Sequence, residues 1–488
     1  RRPPRSTLFP YTTLFRSQGF VLRFSLFLFV FVSFVGLVHG TPYPLSSSIE
    51  RSNKVLVWKT AEQLKVLLGS PEELWITGPA GSGKTWVLIE KVKELGASQK
   101  EDKILVVCFN IPLSKMLQAQ FKDLSCVVKV KTFKKLLHKI TGKRCQSDQE
   151  KEENINLAVS ILEGETPKYD HIFVDECQDL IGDQWPVIFQ KLWKGNDDDS
   201  GTTEVTGYKY KWFFYDTNQY VGWSGERFEK HQKALKDSFK LGYVLRNTGN
   251  IFEQSKKYLK PSSYCPKAIT LGHEVRGLNI EWQASLNKGW VKEETGAQLV
   301  AKCIADLRKK KVLEADICVL VQRVKSRDLL SAELKKLDVD NHNAEKQFEE
   351  NKNVVVVESI RRFKGLESKV VILYDPEFTD KYIKHIRELL YTAISRCSCY
   401  LVIITSEEGR DALQSVDGVE VKDGKKHDDG DDDDSVSVSD SDSDSDVEMD
   451  DEDDHDDDDK DSDGSALEME TEDSFRDEGC DSLKVLQQ

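Results

Sequence analysis

Ten cysteines are scattered over 488 residues without one C-x-x-C pair, and only Cys397 and Cys399 stand close together. That spacing excludes a zinc ribbon and offers no regular disulfide framework, so the thiols read as free groups in a reducing compartment. Cys108, Cys177 and Cys318 sit in or beside apolar runs, where cysteine behaves as a small hydrophobe. Methionine is scarcer still: there are three, and the first is Met116. None precedes the stretch "FVLRFSLFLFVFVSFVGLVHG" at 20–40, which has the basic-then-apolar form of a secretory signal or a single membrane span. Just ahead of it, "LFPYTTLFRS" at 8–17 back-translates codon for codon as a widely used sequencing adapter. We therefore expect residues 1–51 to be non-native or derived from an untranslated region. The protein itself is expected to be nuclear or cytoplasmic, without a membrane.

The net charge of -15 hides two opposite parts. Residues 417–488 hold 32 acidic and 6 basic side chains, whereas the 416 residues before them hold 63 basic and 52 acidic. Runs such as "HDDGDDDD" and "DDEDDHDDDDKD" bury too little apolar surface to offset chain ordering, so a disordered acidic tail is expected. Such a tail solubilises, competes with nucleic acid for a basic body, or binds a basic protein partner such as a histone or ribosomal protein. The alternating serines Ser435 to Ser445 mostly precede acids, a pattern that suits an acidophilic kinase.

Between these ends, short β-branched runs alternate with longer helical patterns: "ELWITG" then "GKTWVLIEKVKEL", "KILVVCFN" then "PLSKMLQAQFKDL", "HIFVDE", "KWFFYD", "DICVLVQ" then "SRDLLSAELKKL", "VVVVESI", "KVVILYD" and "YLVIIT". Continuous apolar strands of this kind suit parallel sheets covered on both faces, which makes the class α/β, doubly wound and present twice. The pattern lapses between about 252 and 287 into "KPSSYCPKAITLGHEVRG", so we expect domains of 52–255 and 256–416.

"GPAGSGKT" fits G-x-x-x-x-G-K-[ST] between the strand "LWIT" and the helix "WVLIEKV". Gly78, Pro79, Ala80, Gly81, Ser82 and Gly83 would wrap phosphate oxygens with backbone N–H groups. Lys84 would reach the terminal phosphates and the Thr85 hydroxyl would ligate Mg²⁺, so ATP with Mg²⁺ is the expected cofactor pair. "HIFVDECQDL" ends a strand with Asp175, placed to hold the metal, and Glu176, placed to polarise the attacking water.

These residues resemble the UvrD/Rep-type branch of superfamily 1 helicases, whose second motif reads DExQD, met here by Asp175, Glu176, Gln178 and Asp179. The resemblance recurs in order over about 335 residues. It implies two RecA-like domains with ATP in the cleft between them. It makes Gln63, twenty-one residues before Lys84, the reader of adenine. "VVCFNIPLSKM" is similar to motif Ia, with Phe109 and Asn110 toward nucleic acid, and "VKTFKKLL" to motif Ib, with Thr132. In "FFYDTNQYVGW", Asp216 and Gln219 match motif III, whose glutamine senses the γ-phosphate. "LGYVLRNTGNIF" places Arg246 at a γ-phosphate contact. "SIRRFKGLES" offers Gly365 and Glu367 to the nucleotide and Arg361 to the strand backbone, and "LLYTAISRC" makes Arg396 the arginine finger.

Departures from the pattern leave alternatives open. Trp86 follows Lys-Thr where the family usually has Arg, so it either stacks on the base or belongs to the core. Trp223 either stacks on a base of the strand or packs, and Ser224 replaces the following Arg. Only about 30 residues separate His138 from Tyr169 and about 110 separate Arg246 from Glu358, so the large accessory insertions of bacterial members do not fit. "ILVVCFNIPL" and "VLRNTGNIFEQSKKYL" also resemble the helicase-like region of Schlafen-family proteins. The expected activity is an ATP-dependent translocase or helicase on single-stranded DNA or RNA. The alternative is a nucleotide-gated single-strand sensor.

Overall fold

The computed structural model describes residues 60–414 apart from 70, 145–147, 181–182, 196–207, 220–234, 261–265, 267, 286–292 and 375–382. The segment expected to be non-native, the acidic tail, Trp223 and Ser224 all lie outside the described residues.

Six short strands form the first sheet: β1 (Glu73–Thr77), β2 (Lys103–Cys108), β3 (Val127–Thr132), β4 (His171–Val174), β5 (Lys211–Tyr215) and β6 (Phe239–Lys240). Their order is β3-β2-β4-β5-β1-β6, and every neighbouring pair is parallel. After a two-stranded ribbon, β7 (Tyr243–Val244) with β8 (Thr270–Leu271), a second sheet follows. It is built from β9 (Glu281–Ser285), β10 (Ile317–Val321), β11 (Asn341–His342), β12 (Val355–Ser359), β13 (Ser368–Tyr374) and β14 (Cys397–Ser406). Its order is β11-β12-β10-β13-β14-β9, again parallel throughout. The α/β class with two RecA-like parallel sheets, expected from the apolar runs, is what the chain forms.

Side-chain parity explains why the strands read as unbroken apolar runs. In the first sheet Ile76, Ile104, Val106, Phe173, Trp212 and Phe214 enter one core, while Trp75, Leu105, Val107, Ile172, Phe213 and Tyr215 enter another on the opposite face. Alternate residues of a strand point to opposite faces, so a sheet covered twice needs apolar residues at both parities. The second sheet repeats the device: Ile317, Val319, Val355, Val357 and Ile372 face a separate core, while Cys318, Leu320, Val356, Val371 and Leu373 join the first of the three cores. That core is one layer shared by both sheets, holding Leu113 and Leu117 of the first with Phe363 and Leu366 of the second.

Local signals set the helices between the strands. Asn110 caps Ile111–Phe121 by accepting the Leu113 N–H at 2.9 Å, with a proline in the first turn. Thr132 caps Phe133–Thr141 by accepting the Lys135 N–H at 3.3 Å, and Gly142 ends that helix in the left-handed region. At the end of β12 the buried Glu358 accepts from Arg327 Nη1 at 3.0 Å, from the Ser359 N–H at 2.9 Å and from the Ala344 N–H at 3.2 Å. It thereby ties the helices Val324–Lys336 and Ala344–Glu350 to that strand. The helix Gly249–Lys256 packs against the helix Ile383–Ser395 and β14.

Candidate active site

The carboxyl ends of three adjacent strands of the first sheet converge. β1 runs into Gly78, β5 into Asp216 and β4 into Asp175, with Thr77 paired to Tyr215 and Val174 to Phe213. Facing them are the amino ends of the second sheet, where Cys318, Ser368 and Ser398 line the same cleft of about 530 Å³. Carboxyl ends of one sheet thus meet amino ends of the next, and loops from both sheets close one chamber.

The glycine-rich turn enters the helix Lys84–Ser98. Gly83 has φ +85°, and a Cβ there would collide with Gln63 Nε2, so only glycine serves. Gln63 does two jobs from the first turn of its helix. Its backbone N–H donates to Thr60 Oγ1 while its Oε1 accepts from the Thr60 N–H, a reciprocal cap, and its Nε2 donates to the Ser82 carbonyl at 2.8 Å. Lys84 is buried and donates to the carbonyls of Gly78 at 2.8 Å and Pro79 at 3.3 Å, with Asp216 Oδ2 3.9 Å away. Ser82 Oγ is buried without a partner in the turn. From the second sheet's side, the Tyr391 hydroxyl accepts the Ala80 N–H at 2.8 Å.

Thr85 Oγ1 donates to Asp175 Oδ2 at 2.7 Å, bringing together the two residues expected to hold the metal. Burial, then the neighbouring Glu176, pushes the Asp175 carboxyl up to about 6. Burial would raise Glu176 as well, but Lys364, Lys84 and Arg396 more than offset it and hold the carboxyl down at about 2. Glu176 occupies the left-handed region at φ 55°, a strained place for a side chain, and its Oε2 accepts from Gln178 Nε2 at 2.6 Å. Gln178 Oε1 in turn accepts the Asp216 N–H at 3.2 Å, which links the ends of β4 and β5.

Arg396 closes the chamber from the second sheet. Its Nη2 donates to Gln219 Oε1 at 2.9 Å and its Nε to the Thr392 carbonyl at 3.1 Å, while Gln219 Nε2 donates to Asp216 Oδ2 at 2.6 Å. Burial, then Arg246 nearby, lowers Arg396 to about 10, which leaves it cationic at neutral pH. Arg246 Nε donates to Glu367 Oε2 at 2.5 Å and Nη1 to the Ser395 carbonyl at 3.3 Å, so two residues expected at the nucleotide hold each other here. Gly365, with φ +84°, lets the second sheet's loop touch Leu113.

Many of the expected residues therefore share one cleft: Gln63, Gly81, Gly83, Lys84, Thr85, Glu176, Gln219, Arg246, Gly365, Glu367 and Arg396 all line it. Trp86 both lines the cleft and packs on the shared core. The described residues expected at nucleic acid do not line it. Thr132 ends β3, an outer strand separated from β1 by β2, β4 and β5, and Phe109 and Asn110 precede the helix Ile111–Phe121. Arg361 is half-buried in the loop after β12.

Two residues escaped the sequence reading. Tyr391 lies within "LLYTAISRC", where nothing local marks it for the glycine-rich turn. Lys364, one position before Gly365, is fully buried and crosses to the first sheet. It donates to Asp179 Oδ2 and to the Gln219 carbonyl at 2.6 Å, with Glu176 Oε2 3.4 Å away. A lysine ahead of a left-handed glycine gave no local signal of burial. The seven described cysteines are buried thiols outside any disulfide, and burial pushes them up, as at Cys303 to about 12. Among the described residues no cluster of metal-ligating side chains stands apart, and no helix is long and apolar enough to cross a membrane.

Comparison with known proteins finds two matched regions. Residues 67–196 match the AAA domain family, and residues 354–404 match the UvrD-like helicase C-terminal domain. Among solved structures, the chain is similar to the C-terminal domain of a possible DNA helicase from Lactobacillus plantarum WCFS1, at 20% identity over 33% of this chain and 86% of that one, with a TM-score of 0.25. The turn with Lys84 and the strand end with Asp175 and Glu176 fall in the first matched region, and Lys364, Gly365 and Arg396 fall in the second. The chain thus holds an AAA-type region and, downstream of it, a region of the UvrD-like helicase C-terminal type.

Proposed function

We propose that this protein hydrolyses ATP in the cleft between a first domain of residues 52–255 and a second of residues 256–416, and uses the cycle to move on single-stranded nucleic acid. One observation carries the reading: Arg396 of the second sheet bonds Gln219 of the first at 2.9 Å, in the chamber that also holds Lys84 and Glu176. The residues fit a nucleotide with Mg²⁺. The turn leaves the Ser82 hydroxyl buried and unpartnered, and Thr85 with Asp175 sets a hydroxyl and a carboxylate 2.7 Å apart, a donor set that suits a hard cation.

In this reading Gln63 orients the base, and Gly365 and Glu367 meet the sugar side. Lys84 would turn from its carbonyls to the terminal phosphates, while Thr85 and Asp175 would hold Mg²⁺, which would neutralise phosphate charge when bound. Glu176, ionised at neutral pH, accepts the proton of the attacking water. Arg396 and Arg246 stabilise charge on the transferring group only while the cleft is closed, so hydrolysis opens it. Phe109, Asn110, Thr132, Trp223 and Arg361 contact the strand, which is then displaced stepwise.

The alternative, a nucleotide-gated single-strand sensor resembling Schlafen-type proteins, is favoured by one feature: the span from Gly142 to Asp170 is taken up mainly by one helix, Asp148–Ile161. Turnover should rise and saturate as oligo(dT) or oligo(U) is added. Strand displacement from a tailed duplex alongside that turnover supports a helicase, and stimulated turnover without displacement supports the sensor. Turnover unaffected by either strand overturns both.

A further inference from the structure

Lys364 joins the two halves of the machinery at a single side chain. It is fully buried, yet it belongs to the second sheet's loop and spends its charge on the first sheet's Asp179, on the Gln219 carbonyl at 2.6 Å and on Glu176 at 3.4 Å. Its own carbonyl accepts from Asn110 Nδ2 at 3.0 Å, and its ammonium lies 5.7 Å from the centre of the Phe109 ring. One residue thus reaches the buried Glu176 carboxylate, the Gln219 segment, and the Phe109–Asn110 corner of the first sheet. An ammonium without water around it is costly unless fully paired, so these contacts form together or not at all.

We propose that Lys364 is a positioning residue that aligns Glu176 only when the Phe109–Asn110 corner and the closed cleft hold it, and so couples strand occupancy to hydrolysis. The inference rests on the translocase reading above. A lysine that merely stapled the domains together would affect melting and leave the strand's stimulation factor as it is.

The test is steady-state turnover of the full chain with and without oligo(dT) or oligo(U), for wild type, Lys364→Met, Lys364→Arg, Asp179→Asn and the double variant Lys364→Met/Asp179→Asn. Lys364→Met should lower the strand-stimulated kcat by on the order of 100-fold while KM for ATP moves by no more than about threefold. Lys364→Arg should recover part of the loss. The double variant removes both charges, which protects the fold if the single change leaves Asp179 uncompensated, and it should turn over no more slowly than Lys364→Met. A wild type that responds to strand, beside Lys364→Met or the double variant responding by the same factor, overturns the coupling alone. A wild type indifferent to both strands overturns the translocase reading and the coupling with it.

Discussion

Arg396 and Gln219 meet across the cleft, Nη2 to Oε1 at 2.9 Å, and 177 residues of chain separate them. Gln219 is held in turn by Asp216, which stands 3.9 Å from Lys84. The arginine is therefore linked to the lysine through two intervening side chains, Gln219 and Asp216. In a chamber this buried such charges act with little screening, so losing one of them should be felt in the rate more than in binding.

Turnover should depend on Lys84, Glu176 and Arg396 together. Lys84→Ala, Glu176→Gln and Arg396→Ala are each expected to lower kcat by on the order of 100-fold or more, and Glu176→Gln should still bind nucleotide. Steady-state ATPase rates with a fluorescent-nucleotide titration check this. Near-normal rates in two of the three would remove the assignment.

Gly365 and Gly142 offer a controlled comparison, since both have positive φ, +84° and +69°, but only Gly365 faces a neighbour, Leu113 Cδ2 at 2.6 Å from an added Cβ. Gly142→Ala should cost about 1 kcal/mol of stability and leave turnover intact. Gly365→Ala should push the second domain's loop off Leu113 and abolish turnover. Denaturant melts paired with ATPase rates decide. Equal turnover in the two variants would mean that Leu113 yields and the contact is dispensable.

His171 makes the first domain sensitive to acid. Its Nδ1 accepts the Tyr210 N–H at 3.1 Å, and its Nε2 faces Asp102 Oδ2 at 2.8 Å, an arrangement that fits only the neutral ring. Burial lowers its pKa below the ordinary 6.5, although Asp102 pulls the other way. The folded value is the depressed one, so protons bind the unfolded chain first as pH falls. The stabilisation is complete above about 6.5 and is lost as pH falls through the folded value. Denaturant midpoints should drop between neutral pH and pH of about 5 in wild type, and drop less in His171→Gln. Parallel declines in the two proteins would show that other groups dominate.

Much of the site was legible because its residues are local to one turn or one strand end. The glycines around Lys84 and the acids after "HIFV" depend on backbone geometry within a few residues, which composition and order specify directly. The caps at Asn110 and Thr132 were equally local, since each is an asparagine or threonine at the start of a helical pattern.

By itself the sequence determined the two α/β layers, through apolar residues at both strand parities, and the identity of the phosphate turn and its acids, through short-range stereochemistry. Tertiary structure alone decided what crosses the cleft: Lys364 onto Asp179 and Glu176, Tyr391 onto the Ala80 N–H, and Arg246 onto Glu367. Those partners lie 121 to 311 positions apart, and nothing in the pattern around a lysine or tyrosine records which distant strand end it will face. Packing of the shared core between the sheets sets that register, because Leu113 and Leu117 meet Phe363 and Leu366 only when the two halves close in one arrangement.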